Sequence, residues 1–386
     1  MIPLYLLEPE APGAAWAPFT GVRPIAELRA GVWRIRERWA RSLGLLAEAT
    51  LGSHAEGFHE SDEPPSRDPS AITGPAVLAA SWFAPAGRAV PLAPETRRLV
   101  HGDVTIAWVL AAGERFDPTT TRGRAVAVDG VLLAGTYSLL DALEKLLVED
   151  CAVFRSRGAT PAGATILGDP ADVISIGATV EPGVVFDVRP GPVVLEAGAE
   201  VRSGTRIEGP TFVGAGTRVL GGYVRACVFG PACRVRGEIA SSVFLGYANK
   251  AHDGFVGHSV LGHWVNLGAG TTTSNLKNTY GLVRLTVEGE PIETGRLNVG
   301  TFFGDHAKTA IGTMLGTGTV VSVGANVFGG PPSKYVLPFA WGVGGETMTE
   351  EGFLRVAERV LSRRDVAWTE ARRDSLRRTY ARARRP

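Results

Sequence analysis

The chain has 386 residues, 45% hydrophobic and 20% charged, enough for two or three domains with cores of their own. Its 40 basic and 39 acidic side chains create no global field that would draw it to nucleic acid or an anionic membrane. There is no apolar run of about 18 residues, and the start MIPLYLLEPEAPG lacks the basic and apolar regions of a signal peptide, so a cytoplasmic location is expected. Cys151, Cys227 and Cys233 fit neither an even-numbered disulfide framework nor a zinc spacing and receive no chemical role.

Residues 1–165 mix short apolar strands with helices, the pattern of an α/β unit. Strands are expected at Leu4 to Leu7, Val77 to Ala84 and Val104 to Leu110. Leu28, Val32, Ile35 and Trp39 follow helical spacing, so IAELRAGVWRIRERW reads as one amphipathic helix starting after Pro24. The stretch GSHAEGFHESDEPPSRDPSAITG has many turn formers and charges and almost nothing to bury, and reads as a mobile loop. A second helix is expected over about Ser138 to Leu147.

From about residue 166 the glycines fall at regular intervals. Val201, Ile207, Val213 and Val219 are six apart, and Gly198, Gly204, Gly216 and Gly222 keep one phase with Pro210 in the missing place. This is a hexapeptide repeat, in which each hexad makes one short side and one corner of a triangular, left-handed parallel β-helix, with three hexads to a coil. A β-sandwich would show period two. The repeat runs over residues 166–345, returns in IGTMLGTGTVVSVGANVF, and is interrupted by an insertion at roughly Thr271 to Phe303. Residues 346–386 read as a helical tail: Thr347 and Glu350 suggest a capping box, Leu354, Ala357 and Leu361 share a face, and ARRDSLRRTYARARRP is a basic segment that is either a solvated face or a surface for anions or a partner.

The segment FLGYANKAHDGFVGHSVLGHWVNLGAGTTTSNLKN concentrates polar groups where the repeat needs only Val and Gly. His252, Asn266 and Asn275 stand out. Acyl transfer to an amine needs a base near neutral pH, donors for an oxyanion and a groove for the thioester; histidine suits the first. Asn266 lies fourteen residues beyond His252, close to one coil, so the two are expected on neighbouring corners.

AHDGFVG and WVNLGAGTTTSN resemble the acetyltransferase half of the bacterial bifunctional UDP-N-acetylglucosamine pyrophosphorylase and glucosamine-1-phosphate acetyltransferase family. The likeness implies that His252 is the general base and that Asn266 and Asn275 contact the sugar. It also implies that the backbone at Ala269, together with Lys308 in FGDHAKTAIGTMLGTGTVVSVGANV, meets acetyl-CoA as acyl donor. GPACRVR puts Arg234 in a phosphate-binding role. Phe255, Leu276 and Ala240 replace two tyrosines and a lysine of the family, with Lys250 as a compensating substrate contact, and Asp305 and Val323 stand where small residues are usual. RPIAELRAG and SNLKN bring the chain closer to a branch of sugar nucleotidyltransferase-like proteins related to that family. The resemblance implies a homotrimer acting on a sugar phosphate or nucleotide sugar.

The first domain lacks the family's L-x-A-G-x-G-T-R phosphate loop, since LYLLEP is followed by EAPGAAW, and reads as a degenerate nucleotidyltransferase-like unit that would need Mg²⁺ only if active. Arg23 and Arg29 are either phosphate contacts or solvated, and Gly102 with Asp103 resembles a metal-binding pair. Two other functions stay open: a zinc hydratase using His252, His258 and His263, and a trimeric sugar-nucleotide-binding scaffold without catalysis.

Overall fold

The computed structural model describes residues 2–384. Leu4–Leu7 lies between Ala47–Leu51 and Ala76–Ala80, parallel to both, in a seven-stranded sheet that continues through Val104–Leu110, antiparallel to Ala76–Ala80, to an edge at Arg124–Ala127. The expected strand 77–84 is two strands. A turn at Ser81 and Trp82 sends Phe83–Pro85 away to pair with Gly130–Leu132.

The helix expected after Pro24 is also divided. Ile25–Glu27 is a single 3-10 turn, Arg29–Ala30 pairs with Trp33–Arg34 as a small hairpin, and only Ile35–Leu43 is helical (α1). Gly31, at φ 65°, makes the turn, and the Asp150 carboxylate fixes it by accepting the Val32 N–H at 2.9 Å and pairing with the buried Arg38. Leu28, Val32, Ile35 and Trp39 are all buried, so the apolar positions were legible while the element between them was not. The second helix, Ser138–Ala152 (α2), runs five residues beyond its expected end.

The solenoid opens at Thr165–Leu167, and all strand pairs along its three faces are parallel. One face is a nine-stranded sheet running from Val173–Ser175 to Tyr335–Val336. The first domain packs directly on it: Ile174, Val194, Phe212, Val228, Val243, Val260, Phe302 and Val320 share one apolar cluster with Leu139, Leu143 and Leu147 of α2. The insertion is shorter than expected. Thr272–Thr273 and Thr301–Phe303 are solenoid strands, and Val260–Leu261 pairs directly with the latter, so residues 274–300 loop out as a hairpin of Arg284–Val287 and Glu290–Glu293. Arg296 of this excursion reaches Asp141 and Glu144 on α2.

The tail forms two helices, Glu350–Ser362 (α3) and Glu370–Ala383 (α4). Thr349, not Thr347, caps α3, accepting the Gly352 N–H at 3.2 Å. Phe353, Leu354 and Tyr380 close over Val22, Val323 and Phe339. The basic segment is not a wholly solvated face, because Arg372 and Arg382 donate to the backbone carbonyls of Glu60 and Glu56.

Those carbonyls belong to the stretch expected to be a mobile loop. It folds against the rest of the chain: Ser66–Arg67 adds an edge strand, His59 N–H donates to Ser375 Oγ at 2.8 Å, and Glu60 takes two hydrogen bonds from Arg23 at 2.8 and 2.9 Å. Arg23, only 1% exposed, also donates twice to Asp305 of the solenoid, at 3.0 and 3.2 Å, and lies over the Phe58 ring. Burial alone would depress its pKa, but the two carboxylates hold it above the ordinary arginine value. Removing one member leaves buried charge without a counter-ion. Arg23→Met is therefore expected to destabilise the protein by about 3–5 kcal/mol in chemical denaturation; a loss below about 1 kcal/mol, as for an exposed pair, would contradict this account.

Candidate functional site

The solenoid brings the sequence-predicted residues onto one face and two of its three corners. On the first face the outward positions run in register as Arg218, Arg234, Asn249, Asn266, Lys308 and Asn326. Asn249 donates its side-chain amide to Asn266 Oδ1 at 2.8 Å. Arg234, Asn266 and Lys308 therefore form one polar column. Burial holds the Lys308 ammonium down to about 8, and it donates to the His306 carbonyl at 2.8 Å.

The alternate positions point inward and are filled by Val219, Val235, Leu267 and Val327, all buried. Lys250 occupies such an inward position, in register with Val235 and fully buried. This corrects its expected role as a substrate contact. Its ammonium donates to the carbonyls of Arg236 (3.3 Å), Asp253 (3.1 Å) and His252, tying down the corner that carries the histidine.

That first corner is open to solvent. His252 is exposed and shares a groove with Arg236, Asp253, Ala269, Gly270 and Thr272. Gly270 N–H donates to the Asp253 carbonyl at 2.9 Å, which stacks the Ala269 corner one coil beyond His252. Seventeen residues separate the two, as they separate Asn249 and Asn266, so His252 faces Ala269, and Asn266 lies on the adjoining face rather than on a neighbouring corner. Among the described residues the Ala269 N–H has no acceptor and the His252 imidazole has no side-chain partner. A base and an available backbone donor thus share one groove.

Asn275 lies at the second corner, where its amide nitrogen is 2.8 Å from His258 Nδ1. Burial first, and then the Arg296 charge, push His258 down to about 4, so it accepts from Asn275 as a neutral ring. Within the chain Asn275 is committed to His258, not to His252. Ala240 is buried, and Phe255 lies beside Gly257 and the Asn275 amide, so neither position regains the polar group it has lost.

The third corner was missed from sequence. Tyr247, Trp264 and His306, each with a positive φ, stack in successive coils: Tyr247 and Trp264 are 4.3 Å apart, Trp264 and His306 6.2 Å. His263 meets Glu60 at 2.5 Å, and its backbone N–H donates to Asp305 at 2.9 Å. The signal was present in the two departures from small residues, since Asp305 binds Arg23 and Val323 packs against Phe339. His252, His258 and His263 stand on three different corners, so the three-histidine zinc arrangement does not converge within the chain. Asp103 is exposed at the tip of the hairpin joining Thr96–His101 to Val104–Leu110.

In the first domain, ligands of such sheets bind beyond the carboxyl ends of the central strands. There Glu8, just after Leu4–Leu7, accepts the Ile25 and Ala26 N–H groups at 2.7 and 3.0 Å and meets His54 at 2.8 Å. Those backbone donors are occupied by the chain itself.

Residues 5–158 match the model of the sugar nucleotidyl transferase family. A bifunctional sugar-1-phosphate nucleotidylyltransferase/acetyltransferase of Sulfurisphaera tokodaii is 30% identical over 151 residues, 36% of this chain and 36% of that protein. Over these stretches the chain is similar to these transferases. The bifunctional protein GlmU of Methanococcus maripaludis is 33% identical over 89 residues, 23% of this chain and 21% of its own length. The matches span about a third and a fifth of these relatives' lengths. The family model falls on the first domain, while the histidine and asparagine segments that resemble the acetyltransferase motifs lie on the solenoid.

The interior lysine gives a pH signature. Burial depresses Lys250 to about 8 from an ordinary 10.5, so between those values the unfolded chain binds more protons and stability rises with pH. Lys250→Met should lose about 1–3 kcal/mol at pH 7, where three carbonyls lose their donor. The gap to wild type should widen from about pH 8 to 10.5 in urea midpoints. A gap that stays constant over that range would show that Lys250 is not desolvated.

Proposed function

We propose that the solenoid is an acyltransferase, moving the acyl group of acetyl-CoA to the amino group of a sugar phosphate or nucleotide sugar. The observation that carries this reading is the exposed His252 sharing a groove with the unpartnered Ala269 N–H. His252 would take the proton of the attacking amine, and the Ala269 N–H would hold the oxygen that gains charge. The polar column of Arg234, Asn266 and Lys308 would orient phosphate, sugar and the acyl donor's anionic groups. The activities of the relatives support the substrate class.

The proposed assembly is a homotrimer. Among the described residues no side chain orients His252, and Ile311, at the next corner above Ala269, is 82% exposed, with Met314 beside it at 66%. A second copy there would cover both apolar groups and complete the groove. The first domain, with Glu8 filling its backbone donors and no phosphate loop, acts in this proposal as a docking unit rather than a nucleotidyltransferase.

His252→Asn is expected to lower kcat for CoA release, with glucosamine 1-phosphate as acceptor, by about 10²–10⁴-fold. Because His252 is exposed, the melting temperature should stay within about 2 °C of wild type. Full turnover in the variant would remove His252 from the mechanism; a folded wild type that releases no CoA with any amino-sugar phosphate would leave the non-catalytic scaffold.

A further inference from the structure

A cavity of about 230 Å³ lies where the first domain, the third corner and the connection between α3 and α4 meet. Its charges do not cancel. Glu27 and Asp62 are each paired with both Arg34 and Arg36, and Glu60 with Arg23 and His263. Two lining cations, Arg29 and Arg372, have no carboxylate within ion-pair distance among the described residues. Each is instead held by backbone carbonyls: Arg29 by Leu245 (3.1 Å) and Val32 (2.5 Å), Arg372 by Ala367 (2.6 Å) and Glu60. Carbonyls orient a guanidinium without neutralising it, so both forks are positioned without a direct carboxylate partner.

The solenoid wall of the same cavity is aromatic. Tyr247 has φ 56°, a conformation that costs energy for a bulky side chain, and it keeps this geometry while stacked on Trp264 at 4.3 Å. One ring face is used by Trp264. On the other side, the preceding coil has only the small Ala232 at the equivalent left-handed corner position, next to Pro231 of the cavity lining.

We propose that this cavity binds a nucleotide, with its base stacked on Tyr247 and its phosphate held by Arg29 and Arg372. Burial holds the Arg29 guanidinium below its ordinary value, which adds to the gain from an incoming anion. The site is at the third corner, apart from the His252 groove, and is independent of the acyl-transfer reading. Because the cavity is built from three separate parts of the chain, its occupant would tighten the junction between them.

The test is calorimetric titration of the full chain with UMP and, separately, inorganic phosphate, using wild type, Tyr247→Asn, Arg372→Gln and His252→Asn. Asparagine tolerates the left-handed backbone at position 247. UMP affinity should fall about tenfold in each of the first two variants, as expected on losing one stacking or one charge-assisted contact. His252→Asn should bind UMP like wild type, and phosphate binding should weaken only in Arg372→Gln. Hydrogen exchange of wild type with UMP provides a readout that needs no variant: slowed exchange is expected at residues 245–247 and 364–372. No UMP binding at millimolar concentration, equal binding in all variants, or protection confined to other regions would overturn the proposal.

Discussion

Arg23, clasped between Glu60 and Asp305, is the interaction through which three distant stretches of chain become one body. The attraction itself comes from apolar burial: the nine-stranded face supplies the floor of the first domain's core, and an aliphatic surface of that kind is non-directional. A flat, repetitive face could accept α2 one coil higher or lower. The Arg23 pair has one register in which both carboxylates are met, and every other register strands a buried charge. Phe58, lying over the guanidinium, and His263, reaching Glu60, exist in the same geometry for the same reason.

This lock divides the labour of the three corners. The third is occupied by the loop that carries Glu60 and by α4, and its aromatic stack is turned toward the junction. The second is tied to α2 through Arg296, and its polar pair, His258 and Asn275, is closed on itself. Among the described residues, only the first corner keeps a histidine facing solvent together with a backbone donor without an acceptor. The location of the proposed chemistry thus follows from which corners the first domain and the tail leave uncovered.

The solenoid was legible because period six is enforced in every coil by the same constraint, an apolar residue inward and a tight corner outward. Leu4–Leu7 and Val104–Leu110 were legible because their runs are bounded by turn formers. The failures share a cause. Leu28 to Trp39 kept helical spacing, but Gly31 is held by Asp150, more than a hundred residues away, and no local pattern carries that. Glu60 was read as loop charge because its partners, Arg23 and Asp305, are distant in sequence. Lys250 was given to the substrate as compensation for the lysine missing at Ala240, yet its place in the alternation with Val219 and Val235 already pointed inward.

The spacing of the coils explains why Lys250 is there. Along the polar column Glu200, Arg218, Arg234, Asn249 and Asn266 are 18, 16, 15 and 17 residues apart, so the repeat departs from three full hexads just before His252. Part of the loss comes from the first corner, where Arg218–Arg225 and Arg234–Ala240 run as continuous strands bent at Gly221, Gly222 and Gly237 instead of turning through a loop, and the rest from the second corner. A contracted corner beneath a full one makes a step, and the Lys250 ammonium lies at it. Lys250 donates to the Arg236 carbonyl below the step and to those of His252 and Asp253 above it. The buried lysine thus ties the shortened coil below to the corner that presents the exposed His252 beside Ala269.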